Sequence, residues 1–381
     1  MEIKSNELLE VAEKNYLKIK SSINAETYQN NSDSYFQLNM GMALLEIIFN
    51  KNSPDQSFYT NALSAITNMH STNLEFGLIN LVALSELYNL SSEYDVLIPD
   101  ILPAISNVLT ILSSDPQNLS FDIVKGQTTL CRYLINSTRN INNDYIPVLL
   151  SSLNTDLLSY FRKSPDLLNE EELKFFPNGY IDLGLAHGVC GLLYLLSDCY
   201  RISESPEVYA LINLIYQYIL DSLYYKDNKI IIPGVICSET LDTDIKSQYF
   251  SWCYGTLGII NTLAYSLRFC YNSEIDSLIS DFKNNLPKTI YFRQPNNSVC
   301  HGYSGALLML HNLFKEEVFD LDIYNDLLFN IQNMLNKSSS DLFKDGFSHI
   351  DGNISELLFC IPYICSQEQK EIIYKYMLCI A

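Results

Sequence analysis

Apolar residues recur three and four positions apart along most of this chain, the spacing that lines one face of an α-helix. The pattern predicts helices through Ala43-Leu44-Leu45-Glu46-Ile47-Ile48-Phe49, over 77–90 and over 208–225. Alternating runs are few. The best strand candidate is Lys229-Ile-Ile-Ile-Pro233-Gly234-Val-Ile-Cys237, and its Pro-Gly break predicts a small ribbon instead of part of a large sheet. Loops are expected at 113–120, at 164–178 by Pro165 and Pro177, and at 239–247. No linker stands out, so the chain reads as a single domain over 1–381.

A loose repeat underlies the helical pattern. A glycine followed by an apolar helical run recurs at Gly41, Gly77, Gly126, Gly188, Gly255, Gly302 and Gly352. Each interval has room for a second helix, for example 57–69 and 322–335. The result is seven helix pairs. Pairs that cannot bury an apolar face alone must stack on neighbours, and closing the stack into a ring is one way to finish it. A ring also makes a mouth where glycine-led helix ends converge. The full Gly-x-x-Gly form survives at Gly188/Gly191, Gly255/Gly258 and Gly302/Gly305, where it suits close helix approach or a helix start near a ligand.

Composition narrows the function classes. The chain has 381 residues, 48% of them hydrophobic, which is ample for a buried core. A formal net charge of −20 repels nucleic acid backbones and tolerates cationic peptides. The start lacks the basic and apolar regions of a signal peptide. No stretch of about 18 apolar residues is present, so no membrane span is expected and a cytoplasmic location is. Ten cysteines are scattered without a CxxC pair, which argues against a self-contained zinc finger. Cys199, Cys270, Cys360 and Cys379 fall on apolar helical faces as small core residues.

Chemistry concentrates in three signatures: Gly-Leu-Ala-His-Gly at 184–188, Trp-Cys-Tyr-Gly at 252–255 and Cys-His-Gly at 300–302. Cys253, Cys300 and His301 offer two thiolates and an imidazole, donors that suit zinc. Three protein ligands leave a fourth position open for chemistry. His187 offers a proton carrier near neutrality. Asp122, in Phe121-Asp122-Ile-Val-Lys-Gly126, is either a helix N-cap or a partner that orients and charge-balances His187. Trp252 and Tyr254 are expected to shape the pocket or simply to pack. His70 and His311 read as packing or surface residues, and His349 as structural.

The segments Gly184-Leu-Ala-His187-Gly-Val-Cys-Gly191, Trp252-Cys253-Tyr254-Gly255-Thr-Leu-Gly258 and Cys300-His301-Gly302-Tyr303-Ser304-Gly305 resemble those of the lanthionine synthetase C-type cyclases. The glycine repeat extends the resemblance over nearly the whole chain. It implies an all-α fold, an α/α toroid of seven inner and seven outer helices. Some members add a small β-containing extension, of which 229–237 would be a vestige. It implies zinc held by Cys253, Cys300 and His301, with His187 and Asp122 as the acid–base pair. It implies a reaction in which cysteine thiols of a dehydrated precursor peptide, leader plus core, add to dehydroalanine or dehydrobutyrine to close thioether rings. A dehydratase and an exporter are the expected partners, with membrane association only through them.

Two positions depart from the family pattern. Tyr249 stands where an arginine is common, and Leu257 where a proline is. Lys246 and Arg293 are the nearby cations that could substitute. Two other readings therefore stay open: a zinc-stabilised scaffold that holds peptide without catalysis, and a related thiol transferase that uses glutathione. A prenyl transferase, which draws its ligands from an Asp, a Cys and a His, fits the two-cysteine set less well.

Overall fold

The structure is a computed structural model. It describes residues 2–23, 32–50, 53–66, 74–91, 121–136 except 125 and 127, 153, 157–226, 229–237, 250–286, 296–314, 321–337 and 352–378 except 353. Tyr249, Lys246, Arg293, His70, His349, Cys379 and the loops expected at 113–120 and 239–247 lie outside these residues. The chain divides into two compact units, 1–108 with 292–381, and 109–291.

Within each unit, a helix buried on all sides is followed by one buried along a single stripe. In the first unit, Ser32–Phe49 is buried continuously from Leu38 to Ile48, whereas Ser57–Ile66 buries Tyr59, Ala62 and Ala65, with the described residues between them partly or fully exposed. Tyr303–Phe314 is buried from Ser304 to Leu310, and Leu321–Lys337 buries Ile323, Tyr324, Leu327, Leu328, Ile331 and Leu335. In the second unit, Val189–Ser203 is buried from Val189 to Cys199, and Pro206–Ser222 buries Val208, Ile212, Ile215, Tyr216 and Ile219. Thr256–Leu267 and Ser273–Asn284 repeat the pattern. The three-to-four spacing of the second helix in each pair is that of an amphipathic helix packed on one side. All-round apolarity marks the first as a core helix. This is the two-helix unit that the glycine repeat predicts.

The pairs are delimited by local signals. Glu204 takes the left-handed conformation (φ 49°) and ends the 189–203 helix, with its N–H on the Tyr200 carbonyl at 2.8 Å. Ser205 then caps the next helix through Val208 N–H, and Pro206 sits in its first turn, where its missing N–H costs nothing. Two expectations need correction. Gly41 and Gly77 lie inside their helices, Ser32–Phe49 and Leu74–Ser91, not ahead of them. The helix-forming residues before each glycine extend the helix past it, and burial of the flanking side chains offsets about 1 kcal/mol of glycine penalty. The helix expected over 208–225 stops at Ser222, because Tyr224 and Tyr225 enter a strand.

Among the described residues, five short strands accompany the helices. The first, β1 (Arg162–Lys163), pairs antiparallel with β2 (Tyr180–Asp182), which pairs antiparallel with β5 (Val235–Ile236). A separate hairpin joins β3 (Tyr224–Lys226) to β4 (Lys229–Ile231). The 229–237 segment is thus a ribbon broken at Pro233-Gly234, its halves serving different sheets. The segment expected as a loop at 164–178 contains a short helix, Glu170–Phe175, closed by a capping box between Asn169 and Glu172.

Buried charge ties each unit together. In the first, fully buried Glu46 accepts from Tyr16 Oη (2.5 Å), Asn50 Nδ2 (3.2 Å) and Asp55 N–H (3.1 Å), and pairs with Lys20 Nζ. Burial pushes its carboxyl up, and Lys20 and the other donors bring it below its ordinary range. In the second, Arg132 Nε meets Asp198 Oδ2 at 2.8 Å, both side chains fully buried. The guanidinium lies 3.7 Å from the ring centroid of Tyr194, which stacks on Tyr265 at 4.4 Å, and Tyr265 Oη donates to Asp198. This cluster locks the helices Thr128–Asn136, 189–203 and 256–267. Arg132→Met leaves the Asp198 carboxylate buried without its counter-charge. It is expected to lower unfolding stability by about 3–5 kcal/mol. Urea unfolding followed by circular dichroism measures it, and an unchanged midpoint contradicts the assignment.

Candidate functional site

The 184–188 turn joins the end of β2 to the 189–203 helix, and it can form only because its glycines admit backbone on backbone. A Cβ on Gly184 would run into the Cys253 carbonyl and, at 2.6 Å, the Tyr254 Cα. A Cβ on Gly188 would lie 2.5 Å from Asp182 Oδ1 and collide with the Gly184 backbone. Asp182, 4% exposed at the end of β2, accepts the Gly184 N–H through the same Oδ1 at 2.7 Å. Burial pushes its carboxyl up, while the Gly184 N–H, Lys163 and His187 pull it back. Leu183 N–H donates to the Gly234 carbonyl (2.9 Å), so the turn is also tied to the break in the 229–237 ribbon.

From this turn His187 Nδ1 meets Asp122 Oδ2 at 2.7 Å, the imidazole 31% and the carboxylate 18% exposed. Asp122 is itself fixed. Its Oδ1 accepts the Val124 N–H at 2.7 Å, and the neighbouring Ile123 N–H donates to the Ala186 carbonyl at 2.9 Å. Thr128 and Thr129 then anchor the following helix by donating to the Phe121 and Ile123 carbonyls. Asp122 is therefore no helix N-cap, since the next helix starts only at Thr128; it closes its own turn with one oxygen and faces the histidine with the other. An ionised carboxylate on Nδ1 places the ring proton there and leaves Nε2 as the acceptor.

The 252–255 turn sits on the other side of the same strand end. Ala186 N–H donates to the Cys253 carbonyl at 2.9 Å. Trp252 is 1% and Cys253 2% exposed, and Gly255 is the N-cap of the 256–267 helix. The 300–302 turn is built by residues that motif reading missed. Asn296 Oδ1 accepts both the backbone N–H (3.0 Å) and the hydroxyl (2.9 Å) of Ser298. Ser298 Oγ accepts the His301 N–H at 3.1 Å, and its carbonyl accepts the Gly302 N–H at 3.1 Å. Asn297 Nδ2 reaches the Ile331 carbonyl at 3.1 Å. The signal was present in the sequence, since Asn-Asn-Ser ahead of Cys-His-Gly is turn chemistry.

Cys300 Sγ lies 3.6 Å from His301 Nε2, and these atoms together with Cys253 Sγ all lie within 4.8 Å of one another. Ligands at about 2.3 Å (sulfur) and about 2.05 Å (nitrogen) from a tetrahedral zinc stand about 3.6 Å apart. The Cys300–His301 pair matches that edge, and two sulfurs with one imidazole form a donor set zinc takes readily. The residues fit the metal. The remaining residues singled out above go elsewhere. Cys199, Cys270 and Cys360 are at most 1% exposed in the core. His311 bonds Tyr363 Oη at 3.1 Å, and burial lowers its pKa to about 4, which keeps it a neutral packing residue. Among the described residues no helix is long and apolar enough to cross a membrane.

Helix pairs led by glycine turns, with a Cys–Cys–His cluster and a His–Asp pair at those turns, define a class of helical protein with a donor set that could hold a metal ion. Residues 3–358 match the family described as Lanthionine synthetase C-like protein, and the chain belongs to that family. Nisin biosynthesis protein NisC of Lactococcus lactis subsp. lactis is 26% identical over 212 residues, 51% of this chain and 49% of that protein. The chain thus aligns with about half the length of this curated relative. The solved structure of nisin cyclase is similar over 97% of this chain and 99% of its own, with a TM-score of 0.69 at 14% identity. That likeness shows the fold, an α/α toroid.

The close approach at Gly188 gives a direct test. Gly188→Ala forces a methyl against Asp182 and the Gly184 backbone, and overpacking of this kind costs about 1–3 kcal/mol. Chemical denaturation of the variant is expected to show that loss. Wild-type stability in Gly188→Ala would mean that the turn has slack.

Proposed function

We propose that this protein is a zinc-dependent cyclase that adds cysteine thiols of a dehydrated precursor peptide to dehydroalanine or dehydrobutyrine, forming lanthionine and methyllanthionine rings. The observation that carries this reading is the meeting of Cys253, Cys300 and His301 donor atoms within 4.8 Å in a member of the lanthionine synthetase C-like family. The His187–Asp122 pair, held by the turn adjoining Cys253, supports it.

Cys253, Cys300 and His301 would hold the zinc, whose charge, when it is bound, favours the thiolate form of a coordinated substrate cysteine. The chain's own groups handle the proton. Ring closure is an addition: a carbon–sulfur bond forms at the β-carbon, the thiol loses a proton and the α-carbon gains one. No co-reactant is needed. With Nδ1–H held by Asp122, His187 Nε2 is the atom that accepts and returns that proton. Buried Trp252 and Cys253 keep the base of the site dry, which strengthens charge interactions there. An acidic surface attracts cationic stretches of peptide.

The test uses purified protein loaded with zinc and a peptide carrying one dehydroalanine and one cysteine. Free thiol is counted by alkylation and mass spectrometry. Thiol should vanish faster with protein than without, not at all faster with Cys300→Ala, and about 10²- to 10⁴-fold more slowly with His187→Ala. Thiol loss no faster than the uncatalysed rate contradicts the proposal. Full activity in His187→Ala removes that residue from the chemistry and favours a scaffold that only gathers thiol and acceptor.

A further inference from the structure

Asp182 is the buried acidic group next to the candidate site that the proposed chemistry does not use. It lies at the last position of β2, in register with Val235, and is fixed there by ladder pairing. Its Oδ1 bonds the Gly184 N–H at 2.7 Å and rests against Gly188, the two residues that open and close the turn carrying His187. One carboxylate oxygen therefore spans the base of the loop and sets its width.

We propose that Asp182 is a positioning residue for His187: by gripping the Gly184 N–H beneath Gly188 it holds the turn at the width that presents Nδ1 to Asp122. The importance to catalysis rests on the cyclase reading above, but the placement of the ring does not. The His187–Asp122 separation of 2.7 Å depends on two turns meeting in register. The 121–124 side is anchored by its own hydrogen bonds and by Ile123 N–H on the Ala186 carbonyl. The 184–188 side has the Gly184 bond to Asp182 as its internal brace. Without that brace the turn opens on the side nearest His187. A displacement of about 1 Å at an acid–base group can cost on the order of 100-fold in rate.

Two independent readouts separate positioning from catalysis. The first is the downfield proton of His187 Nδ1–H in ¹⁵N-histidine-labelled protein, assigned by its loss in His187→Ala. The second is kcat with the dehydroalanine–cysteine peptide. Asp182→Asn keeps an acceptor oxygen at the right reach and should retain the downfield proton and most of the rate. Asp182→Ala and Asp182→Glu remove or displace the acceptor; both should lose the proton signal to solvent exchange and lower kcat about 10- to 100-fold with little change in KM. Zinc content should stay at the wild-type level in all three. If Asp182→Ala does not fold, the Asn and Glu pair carries the test. Retention of the proton signal in Asp182→Glu, or its loss in Asp182→Asn, overturns the proposal whether or not the protein closes rings. A protein that shows no cyclisation while the signals follow the predicted order overturns the cyclase reading alone.

Discussion

One residue connects the parts of the candidate site contributed by residues 121–255. Ala186 donates its N–H to the Cys253 carbonyl and accepts the Ile123 N–H on its own carbonyl, both at 2.9 Å. Three turns far apart in sequence are thereby fixed side by side. One carries Asp122, one His187 and one Cys253. These backbone bonds are possible only because Gly184 and Gly188 have no side chain where carbonyl and carboxylate oxygens pass. Buried backbone groups must be paired, so the same bonds that satisfy the turns also align the chemistry.

The alternation of core helices with one-sided helices sets those turns in place. Each glycine-led helix that is apolar on all sides needs a cover, and the next helix in sequence supplies it along one stripe. The polar clusters around Arg132–Asp198 and Glu46 then fix the helices that apolar packing alone would leave free to slide. Buried ion pairs add little net stability but penalise wrong registers, since each leaves a charge unpaired.

Much of this was legible in the sequence, and the limits have physical causes. Helices and their pairing follow from apolar spacing, which is a local signal. The Cys253, Cys300 and His301 turns were legible because a metal donor beside a glycine is a rare coincidence. Gly41 and Gly77 misled because a glycine ahead of an apolar run does not by itself mark a helix start, and these helices begin earlier, at Ser32 and Leu74. Asp182 was invisible because a single aspartate in a strand carries no pattern; its meaning comes from the Gly188 Cα above it. The roles of Asn296 and Ser298 were within reach, since turn residues directly preceded a candidate ligand pair. The split of 229–237 between two sheets was not, because β-pairing partners are set by tertiary contacts that no local window contains.

In the proposed site, two sulfurs and one imidazole nitrogen share one ion and leave a position for substrate. X-ray absorption at the zinc edge of the purified, metal-loaded protein tests it most directly. The account predicts two sulfur scatterers at about 2.3 Å and nitrogen or oxygen scatterers at about 2.0–2.1 Å completing a four-coordinate shell, with a third sulfur appearing when a thiol peptide is added. A shell with no sulfur, or one already filled by four protein ligands and unchanged by the peptide, would contradict it.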